Sequence, residues 1–67
     1  MVWLLLVRKG NSIESSHIFA SVHGMVKYVN EKSGSSIDVV DVIDDGYLVM
    51  EKDGYLYDGN PRKIKGD

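Results

Sequence analysis

Four aspartates, Asp38, Asp41, Asp44 and Asp45, crowd eight residues, and two histidines, His17 and His23, stand six apart. Carboxylates at that density suggest a calcium loop. With Gly46 as the sixth position of an EF-hand loop, Asp41 falls first and Asp45 fifth. Ile43 then falls third and Lys52 twelfth, where a bidentate Glu is required. The pattern fails, and an acidic turn that keeps a hairpin hydrated accounts for the same residues.

No His/carboxylate set has metal-ligand spacing, and the chain has no cysteine, which excludes disulfides and thiolate metal sites. A nucleophilic triad could be drawn from Ser15, His17 and an aspartate. Such a site needs a pocket and an oxyanion hole, which a domain of this size is poorly able to build. Gly10, Gly24 and Gly34 form no phosphate-cradling loop. No catalytic residue, cofactor or metal is therefore expected.

The elements that must position any working surface fit in 67 residues, one domain with a marginal core. Val2 to Val7 is a continuous apolar run of strand length, and Lys9-Gly10-Asn11 reads as a turn. Ile13 to Ala20 follows as a returning strand, although Ile18, Val22, Met25, Val26 and Val29 also fit helical spacing. Ser21 caps a helix whose apolar residues Val22, Met25, Val26 and Val29 fall at i, i+3, i+4 and i+7, and Ser33-Gly34 ends it. Gly24 lies inside this helix, where glycine is unfavourable.

From Ser36 the chain reads as a meander. Ile37 to Ile43 forms a strand, Asp45-Gly46 a hairpin turn, Tyr47 to Lys52 a strand, and Asp53-Gly54 a turn into Tyr55 to Tyr57. Asp45-Gly46-Tyr47-Leu48 recurs as Asp53-Gly54-Tyr55-Leu56, two uses of one turn chemistry. Asp58-Gly59-Asn60-Pro61 is expected to break the sheet, leaving residues 59–67 as a frayed basic tail. The expected fold is α+β, a small mostly antiparallel sheet in the order β-β-α-β-β-β with one helix packed on one face.

Two-residue loops would place Ile43 opposite Leu48, Met50 opposite Tyr57 and Lys52 opposite Tyr55. Val40, Val42, Val49 and Leu56 then share a face suited to packing under the helix. The other face carries Leu48, Met50, Tyr55 and Tyr57, residue types enriched at the centres of protein interfaces. These four are the expected partner-binding anchor, with Asp41, Asp44 and Asp45 as an acidic rim that steers a basic partner.

The first strand poses the same problem. Val2, Leu4 and Leu6 point one way and Trp3, Leu5 and Val7 the other, and one helix covers one side. Three large apolar side chains are worth roughly 5–9 kcal/mol gross on burial, so a second layer is needed. A homodimer that covers Trp3, Leu5 and Val7 is one solution, and a sheet curled around both sets is the other.

Charge is uneven beneath a net −2. Residues 36–60 carry seven acids against Lys52, a local −6 between two segments of +2 each. That block would repel phosphates. Nucleic-acid binding by sheet tyrosines with Arg62, Lys63 and Lys65 is accordingly the second reading. Met1 to Val7 lacks the basic leader of a signal peptide and is far shorter than a bilayer span, which points to the cytoplasm and away from the membrane. The expected function is that of a small non-catalytic protein-binding module. An inhibitor, a modulator of the kind viruses and mobile elements encode, or an accessory subunit of a larger protein would each fit.

Overall fold

A computed structural model describes residues 1–64 of the chain. Two hairpins flank a pair of helices, in the order β1 (Val2–Lys9), β2 (Ser12–Phe19), α1 (Val22–Ser33), α2 (Val39–Asp45), β3 (Leu48–Lys52) and β4 (Tyr55–Arg62). The strands form one antiparallel sheet ordered β2-β1-β4-β3, so the N-terminal strand lies beside the C-terminal one at its centre. The helices pack against one side of this sheet. The α+β class and the antiparallel sheet are as the sequence predicts.

Local chemistry explains the helix limits. Ser21 Oγ accepts a hydrogen bond from the Gly24 amide at 3.2 Å, satisfying one of the free donors of the first turn of α1. At the other end Gly34 takes the left-handed conformation (φ 71°), and its amide donates to the Asn30 carbonyl at 2.8 Å. Met25, Val26 and Val29, the heart of the predicted stripe, are buried.

The segment expected to be the third strand is instead α2, so the sheet has four strands and not five. Its β-branched residues favour a strand by propensity, but the end signals favour a helix. Asp38 accepts from the Val40 amide at 2.9 Å as an N-cap, and Gly46 (φ 81°) closes the C-terminus with its amide on the Val42 carbonyl. The segment is also tethered. Asn30 accepts from the Ile37 amide at 2.8 Å and donates to its carbonyl at 3.1 Å, fixing the entry to α2 against α1. The helix buries Val42 and leaves Val40 and Ile43 exposed.

The two Asp-Gly-Tyr-Leu strings therefore have different roles. Gly46 ends a helix, whereas Asp53 (φ 54°) and Gly54 (φ 83°) form the two-residue turn of the β3–β4 hairpin, the geometry of a type I′ turn. That hairpin has the predicted register, Met50 opposite Tyr57 and Lys52 opposite Tyr55. Leu48 pairs with Gly59 rather than with Ile43.

The expected break at residues 58–61 is also absent, since β4 runs to Arg62. Pro61 is accommodated because β3 ends opposite Gly59, so that beyond this point β4 is an edge on that side. Lys63 and Ile64 follow without regular structure, and Lys65 to Asp67 of the expected tail lie outside the described residues.

The core consists of Leu5, Val7, Met25, Val26, Val29, Val42, Leu48 and Tyr57. Gly59 sets how closely its layers approach. A methyl group there would fall 2.6 Å from Met25 Sδ and 3.3 Å from Leu48 Cβ, so the absent side chain is the seat of Met25. At Gly24 an added methyl meets only ordinary contacts, 3.6 Å from Phe19 and from Ser21 Oγ. Gly59→Ala is therefore expected to lower stability by about 1–3 kcal/mol through overpacking. Gly24→Ala is expected to raise it by about 0.5–1 kcal/mol through helix propensity. Urea unfolding midpoints moving in opposite directions would bear this out, and a neutral Gly59→Ala would contradict the close approach.

Candidate functional site

The strand registers assign the paired sheet residues to faces, leaving Glu14 at an irregularity of the β1–β2 pairing. Facing the helices are Trp3, Leu5 and Val7 on β1, Ser15, His17 and Phe19 on β2, Tyr55, Tyr57 and Gly59 on β4, and Leu48, Met50 and Lys52 on β3. The expected anchor thus lies on the covered side. Leu48 and Tyr57 are core residues, and Met50 and Tyr55 are partly buried against them. Leu5 and Val7, expected at a dimer contact with Trp3, are buried in the same core, with Trp3 packed at its margin. The grouping of Leu48, Met50, Tyr55 and Tyr57 is real, but it faces inward.

Two clefts open beside this core. One, of about 400 Å³, is floored by Val7, Tyr55 and Tyr57 and rimmed by Lys32, Lys52, Glu14 and Asp53, a mixed set of charges. The other, of about 260 Å³ and shallower, brings the predicted Asp41 and Asp45 together with Leu48 and Met50 between α2 and β3. Asp44 is exposed on α2. Among the described residues no group of three His, Asp or Glu side chains converges to hold a metal ion.

Ser15 and His17 do meet. His17 Nε2 lies 3.0 Å from Ser15 Oγ, and the Tyr28 hydroxyl takes the same nitrogen at 3.1 Å. The His17 and Tyr28 rings are 4.6 Å apart, with Phe19 5.6 Å from Tyr28. In a nucleophilic triad a carboxylate orients the second ring nitrogen, and among the described residues none is bonded to His17. The cluster clamps β2 to α1 through ring packing and shared hydrogen bonds.

Among the described residues no helix lies over the opposite face of the sheet. There β1 presents Val2, Leu4, Leu6 and Arg8, paired on β2 with Ile18, Ser16 and Ile13 and on β4 with Arg62, Asn60, Asp58 and Leu56. Val49 and Glu51 of β3 extend the face past Asp58 and Leu56. Ile18 is 72% exposed, Val49 58% and Ile13 56%, while Val2, Leu4, Leu6 and Leu56 are half-buried. This apolar stripe crosses all four strands. Isolated exposed apolar residues are ordinary on a protein surface, but a continuous patch marks an interaction surface.

The expected strand over Ile37 to Ile43 groups Val40 and Val42 with Val49 and Leu56 under the helix, and the fold of that segment as α2 removes the ground for that choice of side. Continued to Arg62, β4 alternates Tyr55, Tyr57, Gly59 and Pro61 with Leu56, Asp58, Asn60 and Arg62, which separates an inner face from an outer one. Register then places Val2, Leu4 and Leu6 with the outer set.

Burial raises the phenol of Tyr57 above its ordinary range, with further upward contributions from Tyr28, Tyr55 and Asp53. Its folded-state value exceeds the unfolded one, so the associated stability is intact below about pH 10 and is lost as pH rises through the folded value. Ultraviolet titration should show a late-ionising phenol that disappears in Tyr57→Phe, with part of the alkaline loss of stability. An unchanged titration would place Tyr57 in water.

Among the described residues no helix is long and apolar enough to cross a membrane. Compared with protein-family models, with curated proteins and with solved structures, the chain matches none.

Proposed function

We propose that this chain is a cytoplasmic, non-catalytic protein-binding module that works through its uncovered sheet face. The observation that carries this reading is the apolar stripe of Leu4, Leu6, Ile18, Val49 and Leu56 on the side of the sheet that the helices do not reach. Arg8, Arg62 and Glu51 flank it with charges of both signs and Asp58 lies within it between Leu6 and Val49, a mixture of apolar and polar groups that protein interfaces share. A surface of that make-up suits an inhibitor, a modulator or an accessory subunit that covers part of another protein.

Nucleic-acid binding is the weaker reading. Base stacking needs free aromatic faces, and Tyr57 lies in the core while Lys9 Nζ sits 5.3 Å over the ring of Tyr55.

Ile18→Glu is the direct test, because Ile18 is largely exposed and its replacement leaves the core intact. Val40→Glu on α2, 59% exposed in the helical layer, is the matched control. In affinity capture from the cells that make the protein, the partners held by the wild type should be lost with Ile18→Glu and kept with Val40→Glu. Retention of every partner by folded Ile18→Glu would refute the assignment of the face.

A further inference from the structure

We infer that the occupant of the open face is a second copy of this chain, stacked sheet on sheet about a two-fold axis that runs across the strands. The inference rests on the reading of that face as the working surface, and three properties of the face lead to it.

The first is area. Strands of eight, eight, eight and five residues, at ~3.3 Å per residue and ~4.8 Å per strand, project to roughly 460 Å². A corrugated side-chain surface exceeds its projection, so two such faces together bury about 1,000 Å² or more, the size from which specific interfaces begin. The second is charge. Arg8 and Arg62 are matched in number by Glu51 and Asp58, so the face is neutral as a whole and can be its own complement.

The third is the order of residues, which selects one symmetry. Across the sheet from β2 to β3 the outward residues form successive rows: Ile13, Arg8, Leu56, Glu51; then Ser16, Leu6, Asp58, Val49; then Ile18, Leu4, Asn60; and last Val2 and Arg62. Two identical faces pack isologously only about an axis lying between them. An axis along the strands exchanges β1 with β4 and sets Leu6 on Asp58, stripping water from a carboxylate against an aliphatic side chain.

An axis across the strands keeps the strand order and exchanges the ends. Leu4 of each copy then meets Leu6 of the other at the centre, and Asp58 meets Asn60, already its hydrogen-bond donor within the chain at 2.8 Å. Arg62 of each copy lays its aliphatic stem over Leu56 of the other, with Glu51 one strand to one side and Arg8 one strand to the other, and its guanidinium turns to Glu51. Two symmetric Arg62–Glu51 pairs close the rim, and the strands align within the small angle usual for stacked sheets.

Sedimentation of the full chain from low to high micromolar concentration tests this. The wild type should have the mass of two chains. Ile18→Glu and Arg62→Glu should each weaken association at least tenfold, and Glu51→Arg added to Arg62→Glu should restore it. Glu51 and Arg62 are both exposed, so these exchanges leave the core untouched. A wild type that stays monomeric throughout overturns the second copy while leaving the open-face reading to its capture experiment. A dimer indifferent to Ile18→Glu uses another surface, which overturns the second copy on this face and likewise leaves the open-face reading to its capture experiment. Loss with Ile18→Glu but no rescue by the charge exchange overturns the symmetry.

Discussion

Helices of twelve and seven residues must cover a four-stranded sheet, and they reach one of its two faces. A two-layer domain hides one apolar surface and exposes the back of its sheet, which in most antiparallel folds is polar. Here β1 lies second in the sheet with aliphatic residues on both sides, so the covered face cannot satisfy it alone. The half-exposure of Val2, Leu4 and Leu6 follows directly from this shortage of helix.

Which face is covered depends on a close approach near the sheet's centre. Met25 of α1 occupies the space that a side chain at Gly59 would fill, and Gly59 pairs with Leu5 on one side and Leu48 on the other. Around that seat Leu5 and Val7 of β1, Leu48 of β3 and Tyr57 of β4 form a single core with Val26, Val29 and Val42, and Phe19 of β2 packs against it. The periphery is tied down by polar links. Asn30 fixes Ile37, His17 Nε2 lies within hydrogen-bond distance of the Ser15 and Tyr28 hydroxyls, and Lys52 donates to the Gly34 carbonyl at 3.4 Å. The Tyr28–His17 and Lys52–Gly34 links join the helical layer to the strands beneath, and none of these links crosses to the outer face.

Much of this was legible in the sequence wherever local chemistry and periodicity agreed. The first hairpin, the Ser21 and Gly34 caps, the stripe of α1 and the Asp53-Gly54 turn all have short-range causes. α2 was misread because Val39, Val40, Val42 and Ile43 favour a strand while the caps at Asp38 and Gly46 and the tether from Asn30 favour a helix. Residues 58–61 were misread because glycine and proline usually interrupt a strand, yet Gly59 serves a close contact and Pro61 lies past the end of β3. The assignment of faces reversed because Val40 and Val42, read as strand residues, drew Val49 and Leu56 to the helical side. The need for a second layer over β1 was readable, whereas the side needing it depended on long-range register.

Solvent exposure of individual methyl groups tests the central claim most directly, because it distinguishes a face covered by the chain itself from one covered by association. A soluble paramagnetic probe would be applied to wild type and Ile18→Glu at the same high concentration. The methyls of Leu4, Leu6 and Leu56 should be shielded in the wild type and broadened by the probe in Ile18→Glu, with Leu5 and Val7 shielded in both. Shielding of the outer methyls in both proteins would mean that the chain covers its own face, and broadening in both would mean that nothing covers it; either result contradicts the account.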